Sequence, residues 1–436
     1  MFLTNRGILL LLLAAPFLAA ATWAPALQWV GGSYILLCLI LFAVDWHRAG
    51  AVDHFVIRRE HDTKLSLGTE NPIHLSLRNR QARPVRFQVR DEPPEAFAIA
   101  ERILGGEVGA RQRWHDVYHV RPLRRGDYTF GNLNLRWHGP LGLVVRQGTI
   151  AAATPVKVYP NLLDVRRYDL MLRENRLQEL GLRHTRLPGQ GTEFERLREY
   201  RPDDEYRRIN WKATARRHRP ITVAYQTERS QNILAVLDTG RMMQSPVADI
   251  AKLDHAVNAV LLLAYVSSGM GDKIGLMTFA EDIRQFLSPR AGRGQFYRML
   301  ERLYAVEAEP VEPDFGRALS YLALKQRKRA LVVIFTDLSS GTTMQALVEH
   351  VAVLAKRNLP LVVTISDPSI HKVAHSWPDD SLAVYRRAAA NQLLDERRAV
   401  LDALQRQGVL TLDVPANQLS IAVINRYLEL KRQLRL

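Results

Sequence analysis

Asn232-Ile-Leu-Ala-Val-Leu-Asp238 runs into Thr239-Gly240-Arg241-Met242, and Ala330-Leu-Val-Val-Ile-Phe-Thr-Asp337 runs into Leu338-Ser339-Ser340. Each run is continuously apolar and ends in aspartate. Apolar runs of this length, with no polar alternation, predict strands buried on both faces, as in a parallel sheet covered by helices. In such sheets ligands gather where the strands end and the connecting loops splay apart. The two carboxylates are therefore expected at neighbouring strand ends, aimed at a cation or at a basic group of a partner.

The surrounding chain, residues 229–436, alternates strand and helix patterns. Strands are expected at 232–238, 274–280, 283–288, 330–337, 360–366 and 409–414, and helices at 249–268, 294–305, 315–326, 343–357, 386–407 and 417–433. Glu281-Asp282 joins two strands as a tight hairpin, which puts one antiparallel strand into an otherwise parallel sheet.

This arrangement resembles the von Willebrand factor A fold. The metal site of that family uses an Asp-x-Ser-x-Ser loop after the first strand, a Thr in a second loop and an Asp after a later strand. Here the first loop reads Asp238-Thr239-Gly240-Arg241-Met242, without either serine. The second falls near Glu312-Pro313-Asp314-Phe315 and offers Pro313 or Asp314 in place of Thr. Two readings stand. In one, Asp238 and Asp337 hold a hard cation such as Mg²⁺, which wants an octahedron of oxygens; Thr239, Asp314 or Ser339 supply others, and a partner's carboxylate completes the shell. In the other, both acids accept loop N–H groups and cap helices. Either way the resemblance implies a protein-docking face built from Asp238, Thr239, Gly240, Asp314 and Asp337.

Ile8 to Thr22 and Trp29 to Trp46 are nearly free of charge, with Trp23-Ala-Pro25-Ala-Leu-Gln28 between them. Each run is slightly short of the roughly 20 residues that span a bilayer. With the tryptophans as interfacial anchors they predict a transmembrane helical hairpin over residues 1–48. Arg6 before it, and Arg48, Arg58 and Arg59 after it, place both ends in the cytoplasm. A signal peptide cleaved near Ala24 is the competing reading, and it leaves the second run unexplained. Residues 49–160 show period-two alternation in Lys64–Leu67, Pro72–Leu77, Val85–Val89, Trp114–Val120 and Tyr128–Trp137, broken by proline pairs. Strands at this spacing predict a small all-β, immunoglobulin-like sandwich, with its many arginines on a solvated face.

Residues 161–228 form a polar connector. Helical spacing runs from Asn161 to Leu182, and Pro188-Gly-Gln-Gly191 opens a distinctive stretch. Its marks are Gly191, Glu193-Phe194, Leu197-Arg198-Glu199-Tyr200, Asp204, Arg207, Ile209, Trp211-Lys212 and Ala215-Arg216. These resemble the signature of the bacterial family called domain of unknown function 58, with Asp203 where that family usually has Gly. Arg125-Gly-Asp-Tyr128 and Pro140-Leu-Gly-Leu143 fall where the family has similar words. The resemblance implies an inner-membrane protein with a cytoplasmic von Willebrand factor A-like domain. It further implies an adaptor role beside a MoxR-type AAA+ ATPase and no enzymatic activity of its own. An ATPase-independent scaffold for envelope assembly is the alternative, and an undetected hydrolase the weakest. Physically, Asp203-Asp204 is expected to open a helix in which Asp204 pairs with Arg208 while Trp211 packs.

The net charge of +16 comes from 60 basic and 44 acidic residues, nine and four of them within Arg196–Arg219. That excess admits anionic lipid, an acidic partner or nucleic acid. No aromatic-rich strand word or basic recognition helix supports nucleic acid. There is no phosphate-binding Gly-x-x-x-x-Gly-Lys-[Ser/Thr] loop, no His-Glu-x-x-His and no Gly-x-Ser-x-Gly, so nucleotide and hydrolytic chemistry lack a motif. Cys38 is the single cysteine and excludes an intrachain disulfide.

Overall fold

Every residue from Ile233 to Asp238 is buried in the computed structural model, which describes residues 2–20, 22–24, 27–99, 102–161, 193–201, 206, 209–226, 230–338 and 341–433. The chain divides into two compact units, Met1–Tyr159 and Pro160–Leu436.

The second unit is α/β. Its strands are β1 (Asn232–Asp238), β2 (Lys273–Phe279), β3 (Ile283–Arg290), β4 (Leu331–Phe335), β5 (Leu359–Ser366) and β6 (Leu410–Pro415). They lie in the order β3-β2-β1-β4-β5-β6. All neighbours are parallel except β2 and β3, which pair antiparallel across the Glu281-Asp282 turn. The helices are α1 (Lys252–Gly269), α2 (Arg293–Tyr304), α3 (Phe315–Lys325), α4 (Gly341–Ala355), α5 (Pro368–His375), α6 (Ser381–Arg406) and α7 (Leu419–Arg432). Because side chains alternate across a strand, Ile233, Ala235 and Leu237 pack with α1, α2 and α7 on one face. Leu234 and Val236 pack with α3, α4 and the end of α6 on the other. Burying each such side chain contributes about 1.5–3 kcal/mol, which explains why these strands carry no polar alternation. Buried Asp272 fixes α7 to the opposite end of the sheet, accepting from Lys431 Nζ at 2.7 Å, from Gln231 N at 3.0 Å and from the Tyr427 hydroxyl.

The signature stretch enters this unit as Glu193–Glu199 paired antiparallel with Ile221–Gln226, and the short helix Trp211–Arg217 lies between them in sequence. Asn210 caps that short helix, accepting from Ala213 N at 3.0 Å. The helix start expected at Asp203-Asp204 with its Asp204–Arg208 pair, Arg207 and the predicted helix after Asn161 lie outside the described residues. Trp211, expected to pack, is 61% exposed and among the described residues meets the Tyr206 ring edge-on at 5.9 Å.

The first unit is β-rich. One sheet holds Phe2–Leu3, Val144–Ile150, Leu133–His138, Val85–Asp91 and Ile103–Val108 in that order. A second holds Phe55–Glu60, Asn71–Asn79, Arg113–Pro122 and Phe97–Ile99, and three short strands form a third. The run Tyr128–Trp137, expected as one strand, is two strands in different sheets, parted at Gly131-Asn132 where Gly131 N donates to Glu92 O. The arginines are not all solvated. Arg59 grips buried Asp91 through Nε at 2.9 Å and Nη2 at 2.6 Å, crossing from the second sheet to the first. The Tyr118 hydroxyl donates to the same carboxylate at 2.6 Å, and the guanidinium lies over the Phe130 ring.

The apolar N-terminus forms Asn5–Leu12, Ala15–Ala20 and Leu27–Arg48. The first predicted span is broken in two ahead of Pro16, which cannot donate to the preceding turn. Among the described residues Leu27–Arg48 alone is long and apolar enough to cross a membrane, with a mean hydropathy of 2.0. The short helices return along it, and Tyr34 donates from its hydroxyl to Leu10 O at 2.8 Å.

Removing one member of a buried ion pair strands the other. Asp91→Ala is therefore expected to destabilise the first unit by about 3–5 kcal/mol, and Arg59→Met with Asp91→Leu by much less. Denaturant unfolding of the three proteins measures the difference, and equal costs would contradict it.

Candidate functional site

The strand order reverses between β1 and β4, whose neighbouring pairs run from Ile233 and Leu331 to Leu237 and Phe335. Asp238 and Asp337 follow directly, so both acids lie on one rim of one sheet at its switch point. The rim is closed by backbone bonds. Thr239 N donates to Phe279 O at 2.8 Å, Glu309 N to Thr239 O at 2.7 Å, Arg241 N to Val311 O at 2.9 Å and Asp314 N to Ala280 O at 2.9 Å. Gly240 is required by this closeness: a Cβ there would stand 2.8 Å from Pro313 Cδ and 3.0 Å from Val311 O.

Each predicted residue has a protein partner. Asp238 is 2% exposed. Its Oδ1 accepts from Gly240 N and its Oδ2 from the Thr336 hydroxyl, both at 2.7 Å. The Thr239 hydroxyl donates to Phe279 O at 2.9 Å. Asp314 caps α3 by accepting from Arg317 N at 2.8 Å. Asp337, 4% exposed, accepts from Lys252 Nζ at 2.6 Å and from Arg397 Nη1 at 3.1 Å. Arg397 continues to Asp413 at 2.7 Å and 3.2 Å, and the Thr364 hydroxyl donates to Asp413 at 2.8 Å.

Lys252 and Arg397 are the functional residues that sequence reasoning missed. Lys252 stands in the first turn of α1, where the helix dipole disfavours a cation, and it is buried. That placement inside an apolar helix was the available signal. Arg397 sits in Asp395-Glu396-Arg397-Arg398, which reads as an ordinary solvated helix face.

These residues do not fit a divalent cation. Both Asp337 oxygens hold protein cations, both Asp238 oxygens hold donors, and the Thr239 hydroxyl points its proton at a carbonyl. Met242 offers a thioether where an oxygen would be needed. Among the described residues no group of three or more His, Cys, Asp or Glu side chains could hold a metal ion. An ammonium and a guanidinium stand at Asp337 where a metal would be. Burial also pushes the Asp238 carboxyl up to about 6; the Thr336 hydroxyl and Gly240 N–H oppose the rise, and the Asp337 charge adds to it.

Asp238, Thr239, Gly240 and Asp337 therefore shape the rim from beneath. Around them stand the exposed pairs Arg241–Glu312, Arg284–Glu309 and Arg317–Asp282. A small cleft of about 50 Å³ opens beside Asp337, walled by Leu338, Ile365, Ile370, His371, Leu393 and Leu394. Its outer wall is α5 and α6, inserted between β5 and β6. In the link between α5 and α6 Trp377 is 88% exposed, and at the start of α6 Tyr385 is 74% exposed, with Leu382 and Val384 also exposed. Of the signature residues, Lys212 and Arg216 are exposed on their short helix and Tyr200 is half-buried. Glu193, Phe194 and Arg198 lie in the paired strand Glu193–Glu199.

Residues 196–376 match a family described as protein of unknown function DUF58. An uncharacterised protein of Mycobacterium tuberculosis is 26% identical over 184 residues, 42% of this chain and 57% of that protein. The chain thus matches little more than half the length of its mycobacterial relatives. An uncharacterised protein of Bacillus subtilis is 23% identical over 287 residues, 64% of this chain and 69% of that one. Among solved structures, the CARDB domain of the PF1109 protein from Pyrococcus furiosus, described in complex with di-metal ions, is 12% identical. It covers 24% of this chain and 86% of that one with a TM-score of 0.19, too low to carry a structural argument.

Two outcomes follow from the rim. Folded Asp238 binds a proton more tightly than the unfolded chain does, with its pKa raised from 3.8 to about 6. Its contribution to stability is therefore present at low pH and falls as pH rises through that window, by about 3 kcal/mol for about two pK units. Asp238→Asn keeps an acceptor for Gly240 N, and the Thr336 hydroxyl can reverse. Measured by denaturant unfolding, the variant is expected to gain on the wild type by about that amount between pH 4 and pH 7; a constant difference across the range would refute the assignment. Titration calorimetry of the full chain with Mg²⁺ or Mn²⁺ is expected to give no saturable heat, and stoichiometric binding would overturn the misfit.

Proposed function

We propose that this chain is a membrane-anchored protein-binding adaptor. In this reading residues 1–48 are a transmembrane hairpin, 49–160 an immunoglobulin-like sandwich, 161–228 a connector carrying the signature, and 229–436 a von Willebrand factor A-like domain. The soluble parts face the cytoplasm at the inner membrane. A MoxR-type AAA+ ATPase is the partner, as the family resemblance implies, in chaperone-like or complex-assembly work, and no catalytic step is assigned to the chain.

The sheet order with its single antiparallel edge strand supports the domain assignment. The observation that carries the binding role is the exposure of Trp377, Leu382, Val384 and Tyr385 in and after the link between α5 and α6, the two helices that wall the strand-end cleft. Apolar patches on a folded surface mark interaction sites, and Trp and Tyr are the residues that most often dominate binding energy. The docking is metal-free: Lys252 and Arg397 hold Asp337, so the rim needs no dissolved cation to keep its shape. The surface that meets a partner is the helix pair with the exposed charges around the rim, in place of Asp238 and Asp337 themselves.

Capture from a detergent-solubilised membrane extract tests the proposal. The full chain is expected to retain an AAA+ ATPase with or without chelator. Trp377→Ala combined with Tyr385→Ala, both at exposed positions, is expected to lower capture roughly tenfold or more. Undiminished capture by the double variant, or no ATPase retained by the wild type, would defeat it.

A further inference from the structure

The foot of the long apolar helix is fixed to the first unit. Asp45, near its end, is fully buried. Its carboxylate accepts three backbone N–H groups, Leu141 at 2.7 Å and Leu143 and Val144 at 2.9 Å each. Gly139 makes this possible, because a Cβ there would fall within 2.5 Å of the carboxylate. Trp137 Nε1 and Gln81 Nε2 donate to Ala49 O, and Phe2–Leu3 adds an edge strand beside Val144-Val145. The Pro140-Leu-Gly-Leu143 turn singled out in the sequence is thus the cradle of the helix foot.

Five guanidinium groups surround that foot. Arg146 lies over the Trp46 ring at 4.7 Å, and Arg136 over the Phe2 ring at 5.7 Å. Arg83 donates to Arg48 O at 2.9 Å, which sets it beside the Arg48 backbone. Arg6 is exposed in the first short helix, close to Gly142. Among the described residues none of the five is ion-paired. Buried Asp45 accepts its hydrogen bonds from the backbone and its charge acts on Arg83, with no ion-pair contact to any of the five among the described residues. Exposed Phe2, Trp46 and Leu141 stand among these charges. Unpaired arginines interleaved with tryptophan and aliphatic groups, at the level where an apolar helix ends, match the chemistry of a bilayer interface.

We propose that Arg6, Arg48, Arg83, Arg136 and Arg146 form a collar that binds the phosphates of anionic phospholipids, with Phe2, Trp46 and Leu141 seated in the interfacial layer. This rests on the membrane-anchored reading above. Anionic lipid is favoured over an acidic protein because the collar is continuous with the exposed apolar helix surface, which only hydrocarbon would cover along its length. Each arginine adds an attraction that falls off within a Debye length of the surface.

The test uses the full chain purified in neutral detergent and offered equal amounts of phosphatidylglycerol and phosphatidylcholine, with retained lipid counted by native mass spectrometry. Phosphatidylglycerol is expected to be retained about tenfold or more over phosphatidylcholine. Arg136→Gln with Arg146→Gln is expected to erase most of that preference, while Arg124→Gln with Lys64→Gln, outside the collar, leaves it intact. Should the first pair fail to fold, Arg136→Lys with Arg146→Lys keeps the charges and is expected to keep most of the preference. Equal retention of both lipids by the wild type, or loss of preference in the control pair alone, overturns the collar. Resistance to carbonate extraction from vesicles reports separately on anchoring: a chain that inserts but ignores lipid charge defeats only the collar, and one that does not insert defeats the anchored reading.

Discussion

Asp337 held between Lys252 and Arg397 organises the strand-end rim. The carboxylate closes β4, the ammonium opens α1, and the guanidinium reaches from α6 onward to Asp413 on β6. Three elements meet at one buried charge, and Arg397 ties a fourth, β6, to it. Such a cluster adds little net stability, because desolvation consumes most of the Coulombic gain. Its effect is on uniqueness, since any other packing of α1 or α6 leaves a buried ion without its counterion. A rim fixed in this way has no need of the oxygen-rich loop that a metal would demand, and the loop Asp238-Thr239-Gly240-Arg241-Met242 offers few side-chain oxygens.

Much of the α/β unit is legible in the sequence. The predicted strand 232–238 coincides with β1, and the other five strands and six helices fall within a few residues of their observed bounds. The reason is that strands buried on both faces leave an unmistakable apolar run. The adjacency of Asp238 and Asp337 follows from that same pattern. Helix α5 was missed because its eight residues, Pro-Ser-Ile-His-Lys-Val-Ala-His, carry too little periodicity. The partners of Asp337 were illegible for a different reason. Which lysine or arginine finds a buried acid is a matter of tertiary distance, and nothing in Asp395-Glu396-Arg397-Arg398 separates the buried cation from its exposed neighbour. The helix start at Trp211 shows the local version of this limit. Its cap is Asn210, one of several polar residues in that stretch, and the sequence does not single it out.

Arginine does three physical jobs here, and burial with pairing separates them. Arg59 is desolvated and paid for by a bidentate carboxylate, a tyrosine-supported network and an aromatic face, so it pins two sheets. Arg397 bridges two acids and fixes a rim. Arg136 and Arg146 stack on rings without an acid, which leaves their charge available to an external anion. The net charge of +16 is thus not one property of the chain. Cations matched by acids inside the fold add nothing to it, and the surplus rests on cations such as Arg136 and Arg146 that stack on rings without an acid.

Exposed apolar surface also comes in two kinds, and the residues between the apolar groups tell them apart. From Leu27 to Val44 the exposed leucines, isoleucine and tryptophan are interrupted by no charge at all. Water would pay the full hydrophobic cost along that helix, and only a medium as apolar as the side chains removes it. On α6 the exposed Leu382, Val384 and Tyr385 are preceded by Asp379-Asp380 and followed at once by Arg386 and Arg387. Both signs of charge so close to the apolar groups would be stranded in hydrocarbon, whereas a protein surface can cover the apolar patch while leaving its rim wet. The charges between the apolar groups thus separate the two exposed surfaces: the helix Leu27–Arg48 carries none from Leu27 to Val44, and the start of α6 carries them within a turn.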